Sequence, residues 1–408
     1  MWSRRQLAHL AAGGLLLPRT VFGQSAGQKR FIFLFSDGGW DTGHVFTPWW
    51  DVVDAGVEPD AQPGRANGID FVDHPHRPSV REFFENWGDQ ACVINGLEVR
   101  SITHERCRQL MLTGQGPLSD DWASILAARS VTPLQIPHVI VDGPAFTDRF
   151  TSGVVRVGDD DQLPRLLSGD ALTELGLTVP TSRAQSLTDA FVAQRAANRG
   201  TAFSNAYADT LDQLAGLTGL GDLGLSVEDA GCERDIAADC GLAFDLFSRD
   251  ISRCAMLRYK GWCSEGWDTH QGLELQSTNF EDLFAYLNAA MLDLSGRSSS
   301  TGGALADEVV FVLFSEMGRE PKLNAWEGRD HWTFTSVMLV GAGVQGGQVI
   351  GGLDSGGQGQ AVDLGTGAIS GSGTSLLPEH LGATLLQLGD VDPAEFLDAP
   401  APITAALS

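Results

Sequence analysis

The chain has 408 residues, 43% of them hydrophobic and 19% charged, with a formal net charge of −25. That length and apolar content suit one large α/β domain or two smaller ones with a sizeable core. The acidic balance argues against nucleic acid and anionic membrane as partners, because the long-range field repels phosphate.

The N-terminus carries Ser3-Arg4-Arg5-Gln6-Leu7, a twin-arginine pattern, followed by an apolar stretch from Leu7 to Leu17. The stretch is too short and too rich in glycine to span a bilayer. Gly23 is a small residue that suits a signal peptidase. Residues 1–23 are therefore read as an export signal, with the twin-arginine export machinery as a partner and the periplasm or the exterior as the destination. No other segment is apolar enough for a stable membrane anchor.

Residues 30–36, RFIFLFS, form a continuous β-rich run of the kind buried on both faces of a sheet. Similar runs stand at 91–94, 138–142, 309–314 and 335–340, with helical patterns between them. The clearest helix is 279–294, where Phe280, Leu283, Phe284, Leu287, Ala290, Met291 and Leu294 share one face. Strands separated by helices predict an α/β fold with a mostly parallel sheet and helices on both faces. From about 160 to 255 the chain reads as helices and polar loops, a helical insertion or cap on the domain that spans 24–408. Residues 343–376 read as glycine- and serine-rich loops. The glycines of GAGVQGG at 341–347 lack the context of a nucleotide loop and read as a turn. None of the six cysteines forms a C-x-x-C pair, which argues against a zinc ribbon, and pairing among Cys232, Cys240, Cys254 and Cys263 is one option for an oxidising compartment.

Ligands of open α/β sheets bind at the carboxyl ends of the strands. Here those ends carry acids and histidines. The first strand ends at Asp37, with Asp41 close behind; YKGWCSEGWDTHQ delivers Asp268 and His270; the strand at 309–314 delivers Glu316; the next loop delivers Asp330 and His331. Singly, such residues are more often helix caps or ordinary hydrogen-bonding groups. Together, this oxygen and imidazole set predicts a divalent metal site for Zn, Mn, Mg or Ca rather than a thiolate site. His74 and His76, in FVDHPHRPS, read as a solvated loop.

The segments SRRQL, GWDTHQ, SEMGREPKLNAWEGRDHW and LVGAGVQGGQVIGG resemble the signatures of a bacterial, twin-arginine-exported family labelled domain of unknown function 1501. That family is considered sulfatase-like, within the alkaline phosphatase superfamily. The resemblance runs from Arg4 to LPEHLGATLLQLG at 377–389. In that superfamily an Asp after the first strand binds metal, followed in order by a nucleophile, an Asp/His pair, an acid at a later strand end and a His. The order here is similar: Asp37, Thr103-His104, Asp268 with His270, Glu316 and His331. Glu316 replaces the usual Asp, and Met317 stands where many members have a His. The segment THERCRQLMLTG at 103–114 fits the sulfatase frame at Arg108, Leu112, Thr113 and Gly114, but His104 occupies the position of the nucleophilic Cys. The resemblance leaves His104 as metal ligand, nucleophile or general base, Thr103 as a hydroxyl nucleophile, and Arg108 as a clamp for the anion. It implies an exported metal-dependent hydrolase of phosphate or sulfate esters, on a small molecule or a glycan. The alternative is a non-catalytic periplasmic binding protein that keeps the fold and one metal.

Overall fold

The computed structural model describes residues 27–115, 119–157, 181–199, 229–230, 233–398 and 400–408. The expected export signal lies outside them. Eight strands form the main sheet: β1 (Arg30–Ser36), β2 (Ala91–Glu98), β3 (His138–Ile140), β4 (Val154–Arg156), β5 (Cys254–Tyr259), β6 (Val309–Ser315), β7 (Phe334–Gly341) and β8 (Gln348–Gly351). Their spatial order is β8-β2-β7-β6-β1-β5-β3-β4. Every pairing is parallel except the two made by β7.

β1 lies in the interior of the sheet because its seven residues are all buried. Successive side chains of a strand point to opposite faces. Ile32 and Leu34 therefore enter one core, while Phe31, Phe33 and Phe35 enter the other. The first core is closed by α1 (Pro78–Trp87), α4 (Ile236–Ser248) and α5 (Glu274–Ser295); the second by α2 (His104–Thr113), α3 (Trp122–Ala128) and α6 (Pro378–Leu388). Each fully buried Phe or Leu contributes about 1.5–3 kcal/mol, so the two-sided burial of β1 holds both layers to the sheet. Ser36 stands opposite both Ser315 of β6 and Tyr259 of β5. These three strands end level, and the residues after them emerge side by side.

The apolar face predicted at 279–294 is buried as expected, within a helix that starts five residues earlier. Its first turns carry buried Gln276 and Asn279, which interrupt the apolar period but are hydrogen-bonded. Three strands of the sheet, β4, β5 and β8, were not among the predicted runs. Much of the predicted insertion at 160–255 lies outside the described residues. Its last part does not stand apart from the sheet: α4 packs in the main core, with Phe244 against Phe311 of β6 at 6.1 Å between ring centroids. The 341–347 segment turns as expected, with positive φ at Gly341, Gly343 and Gly347. Cys92, Cys107, Cys240 and Cys254 are free and buried, and Cys263 is disulfide-bonded. Among the described residues no helix is long and apolar enough to cross a membrane.

Candidate metal centre

The turn after β1 sets the floor of the site. Gly38 and Gly39 have φ of +133° and +86°, and a Cβ on Gly38 would lie 2.6 Å from the Asp268 backbone nitrogen. Only glycine permits both the backbone angle and that approach. The turn points its amides at Glu316, which leaves β6 fully buried. The Gly38 amide donates to both carboxylate oxygens at 3.1 Å, and the Gly39 amide and Ser315 hydroxyl donate to Oε2 at 3.2 and 2.9 Å. Oε1 meets His104 Nδ1 at 2.7 Å. Burial alone would raise the Glu316 pKa, but the His104 and Gly38 hydrogen bonds outweigh it and hold the carboxyl below its usual range.

His104 is the first residue of α2, and Arg108 follows one turn later on the same face. Asp268 follows Trp267, whose buried ring packs edge-on against Phe280 and Trp40. His331 sits on a short antiparallel ribbon opposite Arg319. These elements bring His104, Asp268 and His331 together, with one potential ligand atom from each lying within 4.8 Å of the others. His104 Nε2 lies 3.3 Å from Asp268 Oδ2, and His331 Nε2 lies 2.9 Å from Asp268 Oδ1. His331 Nδ1 is anchored by the Ile102 carbonyl at 2.8 Å. The carboxylates of Asp268 and then Glu316 beside the ring push the His104 pKa up to about 9. Those from His104 and then His331 hold Asp268 far below the usual carboxylate range.

His270 closes one side of the cluster. Its Nε2 lies 3.2 Å from His331 Nε2 and 3.1 Å from Asp268 Oδ1, and its Nδ1 meets Asp330 Oδ1 at 3.0 Å. Asn324 braces both residues, donating to the His270 carbonyl and to Asp330. On the other side, Arg108 and Arg258 converge on Asp37 at 2.6 and 3.0 Å.

Of the predicted site residues, the structure therefore gathers Asp37, His104, Arg108, Asp268, His270, Glu316, Asp330 and His331 in one region. Their positions differ in kind. Glu316 stands behind His104, with both oxygens occupied by amides, a hydroxyl and the imidazole. Asp37 faces two arginines. Asp41 is not brought to the cluster: its buried carboxylate pairs with His44 at 3.0 Å and Arg329 at 2.7 Å. Thr103 is exposed at the cap of α2, with its hydroxyl 3.4 Å from Ser101 Oγ. His74 is a buried structural group, held by the Pro59 carbonyl and the His76 amide. Sequence reasoning missed two groups, Arg258 and Arg319. Arg319 follows Glu316 by three residues in SEMGRE, and an arginine that close to a buried strand end is a signal that something must neutralise it.

The residues present fit a divalent ion. His104 Nε2 is shielded from solvent and lacks a hydrogen-bond partner of good geometry, although Asp268 lies beside it. Two imidazole nitrogens and one carboxylate make a three-ligand protein set that leaves positions for other groups. The Glu316–His104 contact is the carboxylate–imidazole support commonly found behind a metal-ligating histidine.

Residues 169–367 match the family described as "Protein of unknown function (DUF1501)". No curated protein matches the chain in sequence. Among solved structures, the chain is similar to a Vibrio parahaemolyticus protein in the alkaline phosphatase superfamily. The two share 9% identity over 89% of this chain and 67% of that one, with a TM-score of 0.38. It is also similar to a phosphonate monoester hydrolase from Silicibacter pomeroyi, at 10% identity over 92% of this chain and 76% of that one, with a TM-score of 0.39. A third is a Bacteroides thetaiotaomicron structure described in connection with glycosaminoglycan metabolism, at 10% identity over 92% and 78% of the two chains, with a TM-score of 0.39.

Proposed function

We propose that the protein is an exported metal-dependent hydrolase of phosphate or sulfate esters. The observation that carries this reading is the convergence of His104, Asp268 and His331 beside an arginine pair on Asp37. Two imidazoles and a carboxylate favour Zn or Mn over Ca or Mg, which prefer all-oxygen sites. When bound, such an ion neutralises ester oxygens and activates the attacking group.

The chain's own groups account for the rest. His104, with Nδ1 fixed by Glu316, presents Nε2 to the centre and is read as a ligand rather than a nucleophile. His270, oriented by Asp330, is the group placed to take a proton from an attacking water. Arg108 is part-exposed and holds the ester's anionic oxygens, with Asp37 keeping it and Arg258 in place. These cations answer the difficulty that a strongly acidic protein presents to an anionic substrate.

A panel of aryl phosphates, phosphodiesters and aryl sulfates, assayed with and without added Zn or Mn, tests the reading. Wild-type protein should turn over at least one class in a metal-dependent way. His104→Ala should lose both bound metal and turnover by at least about 100-fold, since a ligand is removed. Thr103→Ala should stay within about threefold of wild type, as expected for a surface substitution. Metal bound at full occupancy with no turnover on any ester would leave the binding-protein reading in its place.

The export part of the proposal rests on Arg4 and Arg5 ahead of the short apolar stretch. Replacing both with lysine should leave unprocessed precursor in the cytoplasm, as seen by fractionation and immunoblotting. Unchanged export of the double variant would remove the twin-arginine assignment.

A further inference from the structure

We propose that the centre is built for a single divalent ion, and that Arg319 supplies the positive charge a second ion would bring while holding Asp268 in its ligating position. This rests on the metal-dependent reading above. The guanidinium is fully buried. It donates to the carbonyls of Gly38, Gly39, Trp267 and Arg329, and to Asp268 Oδ1 at 2.7 Å. His270 Nε2 lies 3.5 Å away. Nε and both terminal nitrogens are engaged, so the rigid fork ties the turn after β1, the loop before α5 and the loop before His331 to one point. Removing it would leave buried carbonyls unpaired beside a carboxylate, a costly arrangement.

The contacts divide the labour of Asp268. Oδ1 is taken by Arg319, His331 and His270, while Oδ2 faces His104. The guanidinium thus fixes the rotation of the carboxylate, with Oδ1 toward His331 and His270 and Oδ2 toward His104. Charge also limits the number of ions. With the imidazoles neutral, as ligation requires, the linked groups are five carboxylates, Asp37, Asp142, Asp268, Glu316 and Asp330, against four cations, Arg108, Arg258, Lys260 and Arg319. One divalent ion moves the balance from one negative to one positive charge, which suits an anionic ester. A second would have to sit against a fixed buried cation, whose repulsion is strong at low dielectric.

Protein stripped with a chelator and titrated with Mn or Zn, by calorimetry and elemental analysis, decides the matter. Wild type should bind one ion per chain. Arg319→Ala should weaken that ion by at least about tenfold, the effect typical of losing a group that orients a ligand. Millimolar guanidinium chloride should restore it, which a merely structural defect would not show. Arg319→Lys keeps the charge without the fork and should bind one ion with intermediate affinity, and it decides the question if the alanine variant does not fold. A second ion appearing only in Arg319→Ala would support the proposal. Two ions on the wild type, or unchanged affinity in both variants, would overturn it. No ion on the wild type would instead overturn the metal-dependent reading on which it stands.

Discussion

Asp41→Asn is expected to destabilise the fold by about 3 kcal/mol at neutral pH, because it leaves Arg329 buried without its counter-charge. Asp41 and the Arg329 side chain are almost fully buried, with the guanidinium 4.2 Å from the Trp49 ring centroid and its remaining donors on loop carbonyls. Burial alone would raise the Asp41 pKa, but Arg329 and His44 overcome it and lower the group from 3.8 to about 2. A folded pKa below the unfolded one means that ionisation stabilises the fold above the unfolded value. That stabilisation is lost as pH falls through the folded value. The pH-dependent share is about 2 kcal/mol for a shift of this size. Denaturant melts of both proteins should therefore show the largest gap above pH 4, narrowing steadily toward pH 2, where protonated Asp41 resembles asparagine. Metal content should be unchanged, since Asp41 lies outside the His104–Asp268–His331 cluster. Loss of the bound ion in the variant at preserved stability would return Asp41 to the list of ligands.

Asp41 illustrates what sequence could and could not say. Both Asp37 and Asp41 follow β1 within a few residues, and either fits a strand-end acid. Which one enters the site depends on the two positive-φ glycines between them, and on arginines far away in sequence that claim each carboxylate. The interior strands β1 and β6 were legible because apolar or small residues run without a break from Phe31 to Ser36 and from Val309 to Ser315. β5, with CAMLRY, was not. It is shorter, and Arg258 interrupts the apolar run so that its guanidinium can reach Asp37 and Asp142 beyond the strand end. β8 lies at the sheet edge in a glycine-rich stretch that resembles loop. The acids and histidines that the structure gathers were readable at strand ends, apart from Asp41, while Arg258 and Arg319 were not. The separate tasks of Glu316 and Asp268 were not, because they depend on which carboxylate oxygens the backbone amides and Arg319 occupy.

Glu316→Gln tests that division most sharply. If the carboxylate acts through His104, the amide should keep the fold but lose the anionic partner of Nδ1, and one of its ends must turn N–H groups toward donors. The Gly38 and Gly39 amides can only donate to this position, so the amide NH2 end has no acceptor there except the Ser315 hydroxyl, with its proton turned to the Ser36 carbonyl. Metal affinity should fall by about 10–100-fold, the usual effect of removing such a support. The stoichiometry should be recovered at high metal concentration, together with any ester turnover the wild type shows. Glu316→Asp keeps the charge but is one carbon shorter, so it should weaken the ion through lost reach to His104 while stabilising the turn amides. Were Glu316 itself a ligand, the glutamine variant would lose the ion outright and excess metal would not restore it. Unchanged affinity in both variants would sever the link between Glu316 and the centre. The outcome separates a carboxylate that binds the ion from one that aims a ligating histidine, and the contacts of Glu316 with the Gly38 and Gly39 amides and with His104 favour the second role.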